Sequence, residues 1–410
     1  MDILEKKTGG SQTILRQRNI VLVLRTINDY GPASKKEIVR LTGLSFAKVN
    51  SLIISLSKSG IIRENGKEES IGGRRSSLFE LNPDFKYVVG CQLSHTEIQT
   101  VICTLKGKVV SSDIKEYEKS AGKEVVIESV LASIENIMNT SGIPRNKFLG
   151  VGVAIAGLIN PKDGTALPFP HLVKWGNVSF KTIIMEKFKL PCYVHNVANA
   201  AALAELKFGV GKGKSNLLYL NVGSGLGMGI VLNGKLYEGI SGSAGEFGHI
   251  TVDEHGPLCE CGNVGCLEAI ASTTAIVKNA KHLLNQGVNS ILSDLVNNDY
   301  EKINFQHICQ AAEQGDKLAF NLIDKMGENL GEGIVTLINL MNPETIILGG
   351  RIVRVQKLII NPITNIIQKR ALEIPRREVE IVFSEMDGVA GAIGAIIPVL
   401  EKLLDNPLQK

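Results

Sequence analysis

The sequence predicts an N-terminal three-helix segment closed by a β-hairpin, followed by a duplicated α/β body with a cleft between its halves. Three observations carry this. Apolar residues recur at helical spacing before residue 60, three strand-like runs follow residue 83, and a similar three-strand pattern returns at residue 217. At 410 residues and 44% hydrophobic content, the chain is long enough for two or three cores rather than one.

The first predicted helix runs from Ile14 to Asn28, with Ile14, Ile20, Val23, Leu24 and Ile27 at helical spacing, and Gly31-Pro32 ends it. Ser34 with Glu37 three residues on reads as a capping box opening a second helix through Leu41. Gly43 supplies the turn, and Ser45 caps a third helix to about Ser59. On that third helix Val49, Leu52, Ile53 and Leu56 form one stripe. Ala47, Asn50, Ser51 and Lys58 face away from it, with Lys48 on the flank. Gly60 closes the helix. Ile61 to Arg63 and Ser77 to Leu81 then alternate as two strands of a hairpin whose tip carries Gly72-Gly73-Arg74-Arg75. Two short helices joined by a glycine turn and followed by a basic hairpin match a winged helix-turn-helix, whose second helix enters the major groove. The other reading of the same pattern is a small helical adaptor with solvated charges. Charge favours the first: residues 1–82 hold 14 Lys and Arg against 8 Asp and Glu, while the remainder holds 31 against 33. A basic segment on a near-neutral body suits a polyanionic partner.

Asn82-Pro83 marks the boundary of the body. Tyr87 to Leu93, Glu97 to Leu105 and Lys108 to Glu116 read as strands, then Lys123 to Thr140 as a helix and Phe148 to Ala156 as a buried strand. Leu217 to Val222, Leu226 to Leu232 and Lys235 to Glu238 repeat the three-strand pattern, with Asn233-Gly234 as a hairpin turn, and Thr345 to Leu348 is a later strand. Gly388 to Ile397 reads as a closely packed helix start. The expected division is 1–82, 83–200 and 201–410. Two such halves suggest the arrangement of sugar kinases and actin-like ATPases, in which ligands bind between domains.

The richest chemistry lies between Gly245 and Glu268. Cys259, Cys261 and Cys266 fall within eight positions, and His249 stands ten residues upstream of Cys259. Three thiolates and an imidazole form a closed tetrahedral set of the kind zinc prefers for structural work. Gly256, Gly262 and Gly265 allow so short a loop to fold back on a metal. Three buried or disulfide-bonded cysteines are the alternative, although a disulfide would leave an odd thiol in the cluster. Glu246 and Glu268 flank the set, either as ligand-holding carboxylates or as solvated glutamates.

E-x-G-H followed by C-x-C-G-x-x-G-C-x-E resembles the signature of the ROK family, which holds bacterial sugar kinases and sugar-responsive repressors. The resemblance implies that Glu246, His249 and Glu268 contact a sugar and that His249, Cys259, Cys261 and Cys266 bind zinc. It implies an actin-like, ribonuclease H-like α/β body. The N-terminal order L-T-G-L-S-x-A-x-V, then G-I-I, G-G-R-R and L-N-P, resembles the winged-helix domain of ROK repressors, including xylose-operon regulators. By that analogy Ser45, Ala47, Lys48, Asn50 and Ser51 are candidates for reading bases, and Arg74 and Arg75 for the wing contact.

Two departures separate this chain from the kinases it resembles. The glycine-rich loop of the second half, Gly223 to Gly229, is complete, but the first-half loop reads Gly90-Cys91-Gln92-Leu93-Ser94-His95-Thr96 where kinases show G-x-D-x-G-G-T. Residues His195 to Glu205 read H-N-V-A-N-A-A-A-L-A-E where kinases show N-D-A-N-A-A-A-L-A-E, so the general base is replaced by Val197. Losing such a base costs about 10²- to 10⁴-fold in rate. Asn196 remains as a candidate contact to a sugar hydroxyl. His171 and Trp175 lie where the family has a segment near the sugar, and Trp175 is either a stacking platform or core; His195 and His255 read as surface or loop residues.

No run of 18 apolar residues and no apolar signal core appears, so a cytoplasmic protein with no membrane partner is expected. Seven cysteines, three of them clustered, suit metal binding in a reducing compartment. The expected function is a non-enzymatic, DNA-binding transcriptional repressor of sugar-utilisation genes, with operator DNA and a sugar as partners. Paired operator half-sites call for a homodimer or homotetramer. The competing readings are an ATP-dependent sugar kinase with an accessory DNA-binding domain, and a metal-dependent scaffold.

Overall fold

The computed structural model describes residues 12–68, 75–118, 121–160, 162–167, 176–386 and 388–407. The N-terminal unit comprises α1 (Gln12–Tyr30), β1 (Ala33–Ser34), α2 (Lys35–Thr42), α3 (Phe46–Ser59), β2 (Ile62–Lys67) and β3 (Ser77–Leu81). Its three strands order as β1-β3-β2, all antiparallel. The hairpin tip, including Arg74, lies outside the described residues, and Arg75 is exposed. Both sequence-read caps are present. The Ser34 hydroxyl accepts the Glu37 N–H at 3.3 Å and the Ser45 hydroxyl accepts that of Lys48 at 3.4 Å. Only half of the expected capping box forms at Ser34, because the Glu37 carboxylate lies 3.7 Å from the Arg40 guanidinium. Gly43 and Gly60 end α2 and α3 in the left-handed conformation.

The body is built twice on one plan. The first sheet contains β4 (Tyr87–Leu93), β5 (Glu97–Thr104), β6 (Val109–Glu116), β7 (Phe148–Ile155) and β8 (Cys192–Asn196); α4 (Lys123–Thr140), α5 (Phe180–Phe188) and α6 (Val197–Phe208) accompany it. The second sheet contains β9 (Leu217–Val222), β10 (Leu226–Leu232), β11 (Lys235–Leu236), β12 (Thr345–Gly349) and β13 (Glu380–Phe383). Between β11 and β12 come α7 (Leu267–Ala271), α8 (Thr273–Asn285), α9 (Leu292–Leu295), α10 (Phe305–Glu313) and α11 (Lys317–Met341). After β12 come α12 (Gln356–Arg370) and α13 (Glu373–Glu378), and α14 (Ala390–Ala395) and α15 (Ile397–Asp405) close the chain. The orders β6-β5-β4-β7-β8 and β11-β10-β9-β12-β13 are the same permutation, with three antiparallel strands followed by two parallel ones. Asn233 and Gly234 both have positive φ, as a two-residue hairpin of this twist requires.

Sequence patterning reads neither β8 nor β13 as a strand. His195, expected on the surface or in a loop, instead pairs with Ala154 from the edge strand β8 of the first sheet, and burial lowers its pKa. His255 is exposed, as expected.

Although they follow the second sheet in sequence, α14 and α15 pack on the first. α14 lies against α6, β4 and β7, and α15 against β7, β8 and α1. One apolar core therefore runs from Val23, Leu24, Leu52 and Leu56 of the N-terminal unit through Val88 and Val101 to Ile396, Val399 and Leu400. Polar contacts reinforce this junction. Arg25 meets Asp405 at 2.6 Å, and buried Glu80 pairs with both Arg63 and Lys106. The N-terminal unit is thus seated on the body rather than tethered to it.

Glu205 in α6 is fully buried, accepting the Ser384 hydroxyl at 2.5 Å and the Val210 N–H at 3.0 Å. Burial raises its pKa against the effect of those two donors. A carboxyl whose folded pKa exceeds its unfolded value of about 4.3 contributes stability below that pH and loses it as pH rises through the folded pKa. Glu205→Gln should therefore gain stability relative to the wild type as pH rises across that window. Urea titrations at stepped pH check this, and a pH-independent difference would contradict it.

Candidate effector cleft and metal centre

A cleft of about 740 Å³ opens between the two sheets, within the range that encloses small ligands. Gln92, Ser94, His95, Asn196 and Val197 line it from the first half, and Gly223 to Gly225, Glu246, His249 and Glu268 from the second.

The loop after β11 brings the predicted metal ligands together. The ligand atoms of His249, Cys259, Cys261 and Cys266 all lie within 4.8 Å of one another. Cys259 Sγ is 3.7 Å from His249 Nδ1, and Cys261 Sγ is 3.7 Å from Cys266 Sγ. A tetrahedron with metal–sulfur bonds of about 2.3 Å has edges of about 3.8 Å, so the donor set fits a zinc-sized ion. Bridges Thr251↔Cys266 and Leu258↔Val264 fold the loop on itself. Gly265 is required there: its φ is +70°, and a Cβ would sit 1.6 Å from the Asp253 carbonyl oxygen. Burial pushes the Cys266 thiol up to about 12, whereas the Asn263 N–H lowers the pKa of Cys261.

The imidazole of His249 serves two neighbourhoods. Nδ1 faces the thiols, and Nε2 lies 3.9 Å from the Glu246 carboxylate at the cleft wall. Burial raises the pKa of Glu246, opposed by His249 and reinforced by Glu268, which places the two carboxylates within electrostatic reach of each other. Glu268, carried by α7, accepts the Leu226 N–H at 2.7 Å. A Cβ at Gly225 would strike its Oε2 at 2.5 Å, so glycine lets the loop and this carboxylate meet. Two acceptors and an imidazole N–H converging on one wall are the equipment for holding vicinal hydroxyls.

Asn196 caps α6. Its Oδ1 accepts the N–H groups of Ala198 and Asn199, and its Nδ2 donates to the Gly157 carbonyl, leaving one N–H to offer the cleft. Val197 begins the helix, is 8% exposed, and clusters with Ala154, Ala200 and Ala395. The Gln92 carboxamide donates to Gln99 and Ser94. The positions where a kinase carries its two aspartates therefore hold an aliphatic group and a neutral amide. One cleft contact escaped the sequence pattern. Arg351, just after β12, pairs with Glu97 of β5 at 3.3 Å across the two halves, 254 positions apart, and no local signal could reveal it.

On the N-terminal unit, Ser45, Ala47, Lys48 and Ser51 are exposed on or beside α3, and Asn50 is half-buried with its Oδ1 accepting from Lys35 Nζ at 2.7 Å. His171 and Trp175 lie outside the described residues.

The ROK family model matches residues 88–402. The chain belongs to the ROK family. It is 34% identical over 398 residues to the xylose repressor of Caldicellulosiruptor bescii, covering 97% of this chain and 99% of that one. It is 31% identical over 402 residues to the DNA-binding transcriptional dual regulator NagC of Escherichia coli, covering 97% and 96%. Among solved structures, a ROK family transcriptional regulator, homologous to the E. coli MLC protein, superposes with TM-score 0.79 at 28% identity, covering 95% of this chain and 98% of that one. A ROK family glucokinase from Streptomyces griseus in complex with glucose and AMPPNP gives 0.69 at 29% identity and spans only 75% of this chain, with 97% of its own. The likeness to ROK regulators thus includes the N-terminal unit, which lies outside the matched family region.

Proposed function

We propose that this ROK protein is a transcriptional repressor of sugar-utilisation genes whose kinase-like cleft senses a sugar without phosphorylating it. The observation that carries the reading is Val197 at the mouth of α6 in a chain whose winged helix shares its core with the body. An isopropyl group can neither take a proton nor hydrogen-bond, so in-line attack by a sugar hydroxyl lacks its base. In this reading residues 1–82 bind operator DNA, with Ser45, Ala47, Lys48, Asn50 and Ser51 at the bases and Arg74 and Arg75 on the wing. Residues 83–200 and 201–410 form the cleft.

Glu246, His249, Glu268 and the free N–H of Asn196 hold the sugar, and zinc held by His249, Cys259, Cys261 and Cys266 fixes the loop that carries them. A hexose would aim its hydroxymethyl oxygen at Val197 and leave it unpaired. A pentopyranose has no such group, and the naming of relatives as xylose repressors supports a pentose effector. The protein works in the cytoplasm, where thiols stay reduced, as a homodimer or homotetramer whose two heads meet paired half-sites.

Selection of fragments of the source genome on the purified protein tests this. Enriched fragments should carry paired half-sites beside sugar-utilisation genes, and a coupled assay should detect no ATP turnover with pentoses or hexoses. Absence of sequence preference at moderate salt, or turnover in the ordinary enzyme range, would sink the reading.

A further inference from the structure

The outward face of α3 mixes the polar Asn50, Ser51 and Lys58 with exposed apolar side chains, which are less usual on a DNA-reading helix. Phe46, in its first turn, is 55% exposed, and Ile54, two turns on, is 57% exposed; Ala47 lies between them, also exposed. Ala47 and Ile54 are seven positions apart and so share one stripe, while Val49, Leu52, Ile53 and Leu56 fill the opposite side. The single carboxamide of the helix, Asn50, is engaged by Lys35, whose ammonium also lies 5.5 Å from the ring centre of Phe79. Charge surrounds the stripe, with Lys36, Arg40 and Lys48 all exposed. Two exposed apolar side chains inside a basic rim fit the major groove, where the thymine C5-methyl is the apolar group on offer.

Resting on the DNA-binding reading above, we propose that Phe46 and Ile54 determine operator specificity by packing on thymine methyl groups. Lys36 and Arg40 of the rim meet the phosphates, which position the helix without reading sequence. Eight residues of helix span about 12 Å, so the two contacts fall three or four base pairs apart in each half-site. Ala47, between them, allows the helix to approach the floor of the groove.

The test replaces thymines one at a time by deoxyuridine in a duplex selected by the full-length protein. Deoxyuridine keeps every hydrogen-bonding group and removes only the methyl. At two positions per half-site, three or four base pairs apart, affinity should fall about fourfold each, the worth of one buried methyl. Phe46→Ala should abolish the penalty at one position and Ile54→Ala at the other. Both side chains are exposed, so the fold should survive, and sedimentation should find the assembly unchanged. Deoxyuridine without effect on a preferred sequence, penalties that persist in both variants, or variants that alter the assembly instead of the thymine response would each overturn the proposal. Failure to select any preferred sequence would strike the DNA-binding reading itself.

Discussion

Cys266→Ser should yield a protein that holds no metal and no longer responds to sugar, while still binding DNA. The loop from Gly245 to Glu268 has little apolar mass of its own, and its cysteines form no disulfide. What joins its two carboxylates is the donor set: His249 stands three residues after Glu246, and Cys266 two residues before Glu268. Cys266 is fully buried and precedes α7, which carries Glu268 to the Leu226 N–H. Structural zinc sites of this donor class contribute on the order of 10 kcal/mol to local folding, far more than the loop's other contacts. With one thiolate gone the two carboxylates lose their common frame. The winged helix shares its core with the first sheet, α14 and α15 and not with this loop, so it keeps its fold. Elemental analysis should find metal falling from one equivalent per chain to a trace, and calorimetry should find no heat of sugar binding. Retained metal with full sugar affinity would contradict this, and a strong chelator should reproduce the variant's behaviour.

Gly394→Ala should destabilise the body by about 3 kcal/mol, at the upper end of overpacking costs. A Cβ there would meet the Ala200 carbonyl oxygen at 1.6 Å, and α14 has nowhere to retreat. On its other side Gly90 and Gly152 of the first sheet would place Cβ atoms 2.1 and 1.9 Å from the carbonyls of Ala392 and Ala395. The helix is clamped between small residues on both faces. A Cβ at Gly391, one turn earlier in the same helix, would clash at 2.2 Å with the Gln92 side chain at the cleft floor. Because α15 continues from α14 into the core shared with α1, the same variant should weaken DNA binding. Gly176→Ala is the control, since a Cβ there meets nothing within 4 Å and should leave the denaturation midpoint unchanged. Equal midpoints for the two variants would contradict the packing argument.

The parts legible in sequence were those set by local chemistry. Ser34 and Ser45 announced their helices, Asn233-Gly234 its turn, and the recurrence of three strands the duplicated body, because each signal lies within a few residues of its effect. The gathering of His249 and the three cysteines was legible for the same reason, the four side chains falling within eighteen positions. What stayed hidden is long-range. Strands β8 and β13 are short and bordered by helices, so their pattern is too brief to separate from a helix. The return of α14 and α15 to the first sheet depends on glycines and alanines far apart in sequence. Asn50 is engaged by Lys35, fifteen positions away on another helix, which no periodicity reveals.

Titration of D-xylose into the complex of the full-length protein with a selected operator duplex, followed by fluorescence anisotropy, tests directly whether the cleft governs DNA binding. A repressor of genes that consume a sugar must let go when that sugar is present, and a ligand can drive release only as far as it prefers the released arrangement. Operator affinity is expected to fall at least tenfold as the cleft fills, and to stay constant in Glu268→Gln. An operator affinity unchanged at saturating pentose and hexose alike would contradict a sugar-controlled repressor.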